Sequence, residues 1–250
     1  MSFEVIPAID VSGGGLARFT QDGPVPLEAF GGDPLVAAES FAEAGARWLH
    51  VVDMDLAFSG QARNLPVVES VASLGIDVQA SGGVARAEDV NAMLEAGATR
   101  VVLGSGGLTH RPFVESLIGE LGERLIVGLE VEGDRIRARG GSAVDLPLDE
   151  TLSWLAGTRA ARYLLTDVGR VGTLAGAGLD GLRAAVRGMG AAVGSVAAPV
   201  LVSGGVSTED DLRALIELGP PVEGAVIGRA LVEGELSLSR LLTVATERSS

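Results

Sequence analysis

Two segments of the chain repeat one pattern at an interval of 122 residues. Val78-Gln-Ala-Ser-Gly-Gly-Val84 leads into a helical stretch and then into Arg100-Val-Val-Leu-Gly-Ser105. Val200-Leu-Val-Ser-Gly-Gly-Val206 leads into a second helical stretch and then into Gly224-Ala-Val-Ile-Gly-Arg229. Each reads as strand, Ser-Gly-Gly turn, helix, strand and a second turn containing Gly. A short apolar strand that ends in small residues leaves backbone N–H groups free beside a helix start, and such a corner holds an anion. One such corner in each half predicts a barrel of two similar halves that grips a substrate by two phosphates. A single Gly-rich turn also serves helix–strand packing, so the signal lies in the paired placement rather than in either turn alone.

The rest of the chain supports that architecture. Short apolar runs predict eight strands: Phe3–Ile9, Trp48–Val52, Ile76–Ala80, Arg100–Leu103, Leu125–Leu129, Arg162–Leu165, Val200–Val202 and Gly224–Ile227. Between them, helical periodicity covers Pro34–Ala44, Leu65–Leu74, Ala87–Ala96, Arg111–Leu121, Leu148–Ala156, Leu179–Arg187 and Glu209–Leu218, with Leu236–Thr246 last. Ser207 or Thr208, with acidic residues behind it, starts one helix, and Gly97 ends another. Gly13-Gly-Gly15 and residues 188–198 read as loops. Eight strand–helix alternations fit an α/β fold of the (β/α)8 type, a TIM barrel with a two-fold half-barrel repeat. No Pro- or Ser-rich linker divides the chain, so residues 1–250 are expected to form one domain.

Composition narrows the function. The chain is 47% hydrophobic but only 4% aromatic, which suits parallel strands buried beneath helices. A formal net charge of −14 argues against nucleic acid and against an anionic membrane surface as partners. Any phosphate site must therefore be a local array of N–H groups with a few Arg side chains. There is no cysteine, which excludes thiolate catalysis and Cys-ligated metals, and two isolated histidines make a His-rich metal site unexpected. Charges or Gly interrupt every apolar run short of a membrane span, and no signal-peptide pattern opens the sequence. The expectation is a soluble cytoplasmic protein, monomeric by default, that acts on a small-molecule bisphosphate.

The repeat extends to chemistry-bearing residues. Ile6-Pro-Ala-Ile-Asp10 and Ile126-Val-Gly-Leu-Glu130 both set a carboxylate just past a buried strand, 120 residues apart. In a barrel this brings Asp10 and Glu130 to opposite sides of the catalytic mouth.

With these pieces together, the chain resembles the phosphoribosyl isomerases of histidine biosynthesis, including the actinobacterial branch that also serves tryptophan biosynthesis. The resemblance runs from Ile6 to about Leu242. It rests on Ile6–Asp10 with Arg18, Leu49-His-Val-Val-Asp53-Met-Asp55, Ser81-Gly-Gly83, Thr166-Asp167 through Gly172-Thr-Leu-Ala-Gly176, Ser203-Gly-Gly205 and Ile227-Gly-Arg-Ala-Leu231. It implies a cofactor-free Amadori rearrangement, aminoaldose to aminoketose, on an imidazole carboxamide nucleotide with a phosphate at each end. Asp10 corresponds to the catalytic Asp of the first strand, Thr166 to the Thr of the sixth, and Glu130 occupies the place of the Asp of the fifth. Gly82, Gly83, Gly104 and Ser105 match one phosphate site; Gly204, Gly205, Gly228 and Arg229 match the other. Arg18, Arg139, Gly172 and Thr173 fall in the mouth loops that bind substrate.

Four departures fall on the chemistry. The family's second catalytic Asp, before the Gly-Thr of the sixth loop, is Val171, which cannot move a proton. The fifth-strand Asp is Glu130, one methylene longer. An Arg that follows the first Gly-Gly turn is replaced by Ala85, with Arg86 one residue late. A base-stacking Trp of the dual-substrate branch is replaced by Gly141. Three outcomes are compatible with this pattern: an isomerase in which Glu130 or Asp167 takes the missing role, a barrel for a related bisphosphate reaction, or a phosphate-ligand binder without turnover. The pathway's cyclase shares the fold, but it carries a Cys after the first-strand Pro, where this chain has Ala8. Bland roles are expected elsewhere: His50 a satisfied core residue, Trp48 packing, Asn64 a turn or cap. One of Asp53 and Asp55 should be structural, and Asp167 should point outward. Arg137 is either a clamp at the mouth or a plain surface residue.

Overall fold

A computed structural model describes residues 3–20, 22–138, 143–168, 186 and 198–247. Arg139, Gly141, Val171, Gly172, Thr173, all but Val186 of the helix expected at Leu179–Arg187 and nearly all of the loop at 188–198 lie outside the described residues.

Eight parallel strands close into a ring. They are β1 (Glu4–Ser12), β4 (Trp48–Asp53), β5 (Asp77–Ser81), β6 (Arg100–Leu103), β7 (Leu125–Glu132), β10 (Tyr163–Asp167), β11 (Val200–Ser203) and β12 (Val222–Ile227). Each pairs with the next around the ring, β12 returns to β1, and β7 pairs with β10. Helices fill the crossovers: α1 (Pro34–Glu43), α2 (Met54–Ser59), α3 (Leu65–Ala72), α4 (Ala87–Glu95), α5 (Arg111–Leu121) and α6 (Leu148–Ala156), then α7 (Glu209–Leu218), α8 (Arg229–Val232) and α9 (Leu238–Thr246). The expected (β/α)8 barrel is the fold.

Alternation along each strand decides which side chains fill the barrel and which meet the helices. Ile6, Ala8, Val102, Ile126, Leu164, Leu201 and Val226 point inward and form a closed apolar plug. Their neighbours Val5, Ile9, Val11, Val101, Leu103, Val127, Leu129, Leu165 and Ala225 point outward into the larger shell under the helices. The barrel is thus a packed core with a mouth at the strand C-termini, not a pore.

The strand ends differ from the sequence expectation in one informative way. β1 and β7 run three residues beyond the expected Ile9 and Leu129, to Ser12 and Glu132. Antiparallel partners hold them straight past the barrel rim: β2 (Gly15–Thr20) and β3 (Gly23–Pro26) extend β1, while β8 (Arg135–Ile136) and β9 (Leu146–Pro147) extend β7. Gly13 and Gly14, both with positive φ, make the β1–β2 turn, so part of the expected loop is a hairpin. Asp10 and Glu130 therefore lie inside extended strands rather than just past them.

The half-barrel repeat is visible in detail. Gly82 and Gly83 have φ of 106° and 67°, and Gly204 and Gly205 have 101° and 80°. The helix after each turn starts on the same device, an Asp in its first turn that collects backbone N–H groups. Asp89 accepts from Ala85 and Arg86, and Asp211 accepts from Ser207 and Thr208. These two carboxylates are again 122 residues apart. Thr208 completes its box by accepting from Asp211 N–H at 3.1 Å, as its sequence context predicts.

Candidate active site

One cavity opens at the strand C-termini, and every described residue of the expected site lines it. Asp10, Glu130 and Thr166 lie on its floor and wall, with Arg18 on the hairpin strand β2. Gly82, Gly83, Gly104 and Ser105 border it on one side, and Gly204, Gly205, Gly228 and Arg229 on the other.

The ring order explains why these positions work together. Counting from β1, Asp10 stands on strand one and Glu130 on strand five of eight, which are diametrically opposed. The first pair of glycine turns follows strands three and four, and the second pair follows strands seven and eight, also opposed. The two axes cross. A ligand stretched between the turns passes its middle between the two carboxylates.

The turns are built by close approach as well as by φ. A Cβ on Gly83 would lie 2.5 Å from Ala57 Cα, and one on Gly82 would lie 2.6 Å from Asp53 N, because α2 packs directly on the turn. Backbone alone can enter this corner. Gly104 contributes in the same way: its N–H donates to Val84 O at 2.8 Å, so it brings its own backbone near the cavity without offering that donor. Ser105 is fully buried and its Oγ accepts from Glu130 N–H at 3.1 Å. A residue expected at a phosphate site thus uses its side chain to fix the strand that carries Glu130. At the opposite end Arg229, the first residue of α8, donates from Nε to Glu233 at 2.9 Å, with both side chains bordering the cavity.

Asp10 pairs in register with Ala17 of β2 and Val52 of β4. Glu130 pairs with Thr166, which is only 3% exposed. Asp167, the next residue, is not among the described residues that line the cavity, as alternation along β10 requires, whereas Glu130 is. Arg86 does not reach the site either: its guanidinium binds Asp89 at 2.7 Å and is 60% exposed. Arg137 pairs with Glu132 at 2.6 Å on the surface. Among the described residues no group of three or more His, Asp or Glu is arranged to hold a metal ion.

Beneath the mouth, Asn64 is a keystone whose extent the sequence did not reveal. Fully buried, it donates from Nδ2 to Asp53 at 2.6 Å and to Asp55 at 2.9 Å, and its Oδ1 accepts from Gly14 N–H at 2.9 Å. Asp55 also accepts from Gly13 N–H at 2.7 Å. This knot ties the β1–β2 turn, and with it the strand bearing Arg18, to the start of α2. Asp53 ends β4 and caps α2 through Leu56 N–H, while Asp55 lies in the helix's first turn, so both have structural roles. Burial raises the Asp53 carboxyl above its usual range against its hydrogen bonds from Leu56 and Asn64. His50 is a satisfied core residue, bonded to Gln79 and Ser81, and the half-buried Trp48 packs against the apolar plug with the Arg100 guanidinium 3.7 Å over its ring. His50 also borders the cavity.

Comparison with known proteins shows the family. A family model described as histidine biosynthesis protein matches residues 4–237. A protein of Thermobifida fusca is 41% identical over 246 residues, covering 98% of this chain and 97% of its own length. Proteins of Acidothermus cellulolyticus and Moorella thermoacetica are 39% and 37% identical, over 97% of this chain and 98% of each relative. All three are named 1-(5-phosphoribosyl)-5-((5-phosphoribosylamino)methylideneamino) imidazole-4-carboxamide isomerase. Matched over nearly its whole length, the chain belongs to the histidine biosynthesis protein family.

Proposed function

We propose that this protein is an isomerase of histidine biosynthesis that converts the aminoaldose nucleotide named for its relatives into the aminoketose. The observation that carries the reading is the crossing of the two axes: carboxylates opposed on strands one and five, glycine corners opposed after strands three to four and seven to eight. A substrate with a phosphate at each end is held at both corners, and its reacting ribose carbons lie between Asp10 and Glu130.

The chemistry needs proton transfers at neighbouring atoms. Protonation of the ribose ring oxygen accompanies breakage of its bond to C1, while the amine lone pair forms the C=N bond of a Schiff base. Removal of the C2 proton sends that C–H pair into a C1=C2 bond, and the C=N pair returns to nitrogen, giving an enolamine. C1 then gains a proton as the C2 hydroxyl loses one and becomes the ketone. Nothing is oxidised overall, so no external electron acceptor is required. We assign these transfers to Asp10 and Glu130 as a pair, with Thr166 beside Glu130 as a hydrogen-bonding group. Among the described residues Glu233 is the other carboxylate on the cavity, and it is paired with Arg229. The partner is a small-molecule bisphosphate. Among the described residues no helix is long and apolar enough to cross a membrane.

The test is turnover. Purified protein is mixed with the aminoaldose nucleotide and the absorbance change on ketose formation is followed. Turnover well above an Asp10→Asn control is expected. Tight bisphosphate binding without turnover above that control would replace the enzyme reading with that of a binding protein.

A further inference from the structure

The inside of the barrel is not apolar throughout. Opposite the plug, four polar side chains from three adjacent strands form a continuous column. Arg100 at the start of β6 is 3% exposed, Gln79 on β5 is 0%, His50 on β4 is 5% and Ser81 at the end of β5 is 8%. Arg100 Nε donates to Gln79 Oε1 at 2.8 Å, Gln79 Nε2 lies 2.7 Å from His50 Nδ1, and His50 Nε2 lies 2.9 Å from Ser81 Oγ. Strand register sets the first two contacts, since Arg100 pairs with Gln79 and Gln79 with His50. At the far end the Glu4 carboxylate lies 3.7 Å from Arg100 Nη2, an ion pair without a hydrogen bond, and the near end opens on the cavity, which both His50 and Ser81 border.

Hydrogen-bond polarity runs one way along this column. A guanidinium only donates, so the Gln79 atom facing it is the carbonyl oxygen and the atom facing His50 is the amide NH2. An NH2 donor requires His50 Nδ1 to accept, which leaves the imidazole proton on Nε2. That proton is given to Ser81 Oγ, and the Ser81 hydroxyl proton is left to donate toward the cavity. We propose that Arg100 and Gln79 lock His50 as its Nε2–H tautomer, making Gln79 and His50 positioning residues that aim the Ser81 hydroxyl as a donor at the bound substrate.

Only the last clause depends on the isomerase reading; the tautomer is a property of the free protein. Burial of all four side chains makes the order strict, because reversing any one link would set two donors or two acceptors together. The column also accounts for a charge in the barrel interior. Burial, and then repulsion from Arg162, push the Arg100 guanidinium down to about 10, so holding it there has a cost that a purely apolar layer would avoid.

The experiment reads the tautomer directly. The chain has two histidines, so a long-range 15N–1H spectrum of 15N-histidine-labelled protein contains two imidazoles, assigned with His110→Asn. His50 is expected to show a protonated Nε2 and a bare Nδ1 at neutral pH. A proton on Nδ1, or on both nitrogens, would overturn the proposal whether or not the protein turns over. Gln79→Glu changes one atom, offers an acceptor to His50 Nδ1, and should move the proton to Nδ1. In the turnover assay Gln79→Glu and Ser81→Ala should each lower kcat/KM about tenfold, the scale of one hydrogen bond. The double variant should fall no further. Independent, multiplying losses would mean that Gln79 acts only on the fold and would overturn the link to Ser81. If Gln79→Glu does not fold, the wild-type spectrum still decides the tautomer.

Discussion

Asp10 and Glu130 are separated by three strands in either direction around an eight-stranded ring, so each faces the cavity from the opposite wall. Two carboxyls in that relation can act on two faces or two atoms of one ribose, which a proton-shuttling isomerisation requires. Asp10→Asn is expected to lower kcat by about 10²–10⁴-fold with KM little changed, the usual loss for a general acid or base. Glu130→Gln should do the same. Ser105→Ala should give a smaller loss, because it acts through the Glu130 backbone that its hydroxyl holds. Steady-state kinetics on the three variants check the order.

The first glycine corner makes a separate prediction about stability. Gly83→Ala puts a β-carbon 2.5 Å from Ala57 Cα at a φ of 67°, and Gly82→Ala meets the Asp53 backbone at a φ of 106°. The obstacle is main chain in both cases, so no side-chain rotation relieves it. Each variant should lose about 2–4 kcal/mol, combining backbone strain with overpacking, read as a drop in urea midpoint at unchanged slope. Surviving folded protein should also bind substrate more weakly, because the turn must move to admit the methyl group.

Short apolar runs and Gly punctuation are strong local signals, and they make the barrel and its two corners legible in the sequence. The carboxylates Asp10 and Glu130 were legible because they end such runs at matching places in the two halves. What escaped was everything that depends on a third element. The hairpins β2–β3 and β8–β9 are short, rich in Gly, Pro and charge, and are stabilised by the barrel strands that they extend. Asn64 reads as a turn residue, since nothing in its neighbourhood in sequence announces that Asp53, Asp55 and Gly14 converge on it. Arg100 reads as a polar flank of an apolar strand; its burial follows from Gln79 and Glu4 on other strands. Arg86 looked like a displaced site residue and is a partner of Asp89.

Arg229 tests the second corner. Its guanidinium borders the cavity and is already oriented by Glu233 at 2.9 Å, an arrangement that presets a cation for an arriving phosphate. Arg229→Ala should raise KM about tenfold while kcat changes little, because a phosphate grip is made equally in the ground and transition states. Added inorganic phosphate should inhibit the wild type competitively and the variant more weakly. A fall in kcat with KM unchanged would instead place Arg229 in the chemical steps.

Acid should loosen the knot under the mouth, and Asp55 is the group to watch. Burial by itself would raise its carboxyl; hydrogen bonds from Gly13 N–H, Asn64 and Ser12, with Arg63 nearby, outweigh that and hold it below its ordinary value. A carboxyl held lower in the folded than in the unfolded state contributes stability above its unfolded value of about 3.9. That contribution is lost as pH falls through the lower, folded value. Asp55→Asn should therefore be less stable than wild type at pH 6, with the gap narrowing steadily as pH falls from about 5 toward 3. Urea midpoints measured across that range for both proteins check the convergence. A gap that stays constant with pH would mean that the ionised carboxylate at residue 55 is not what holds Gly13.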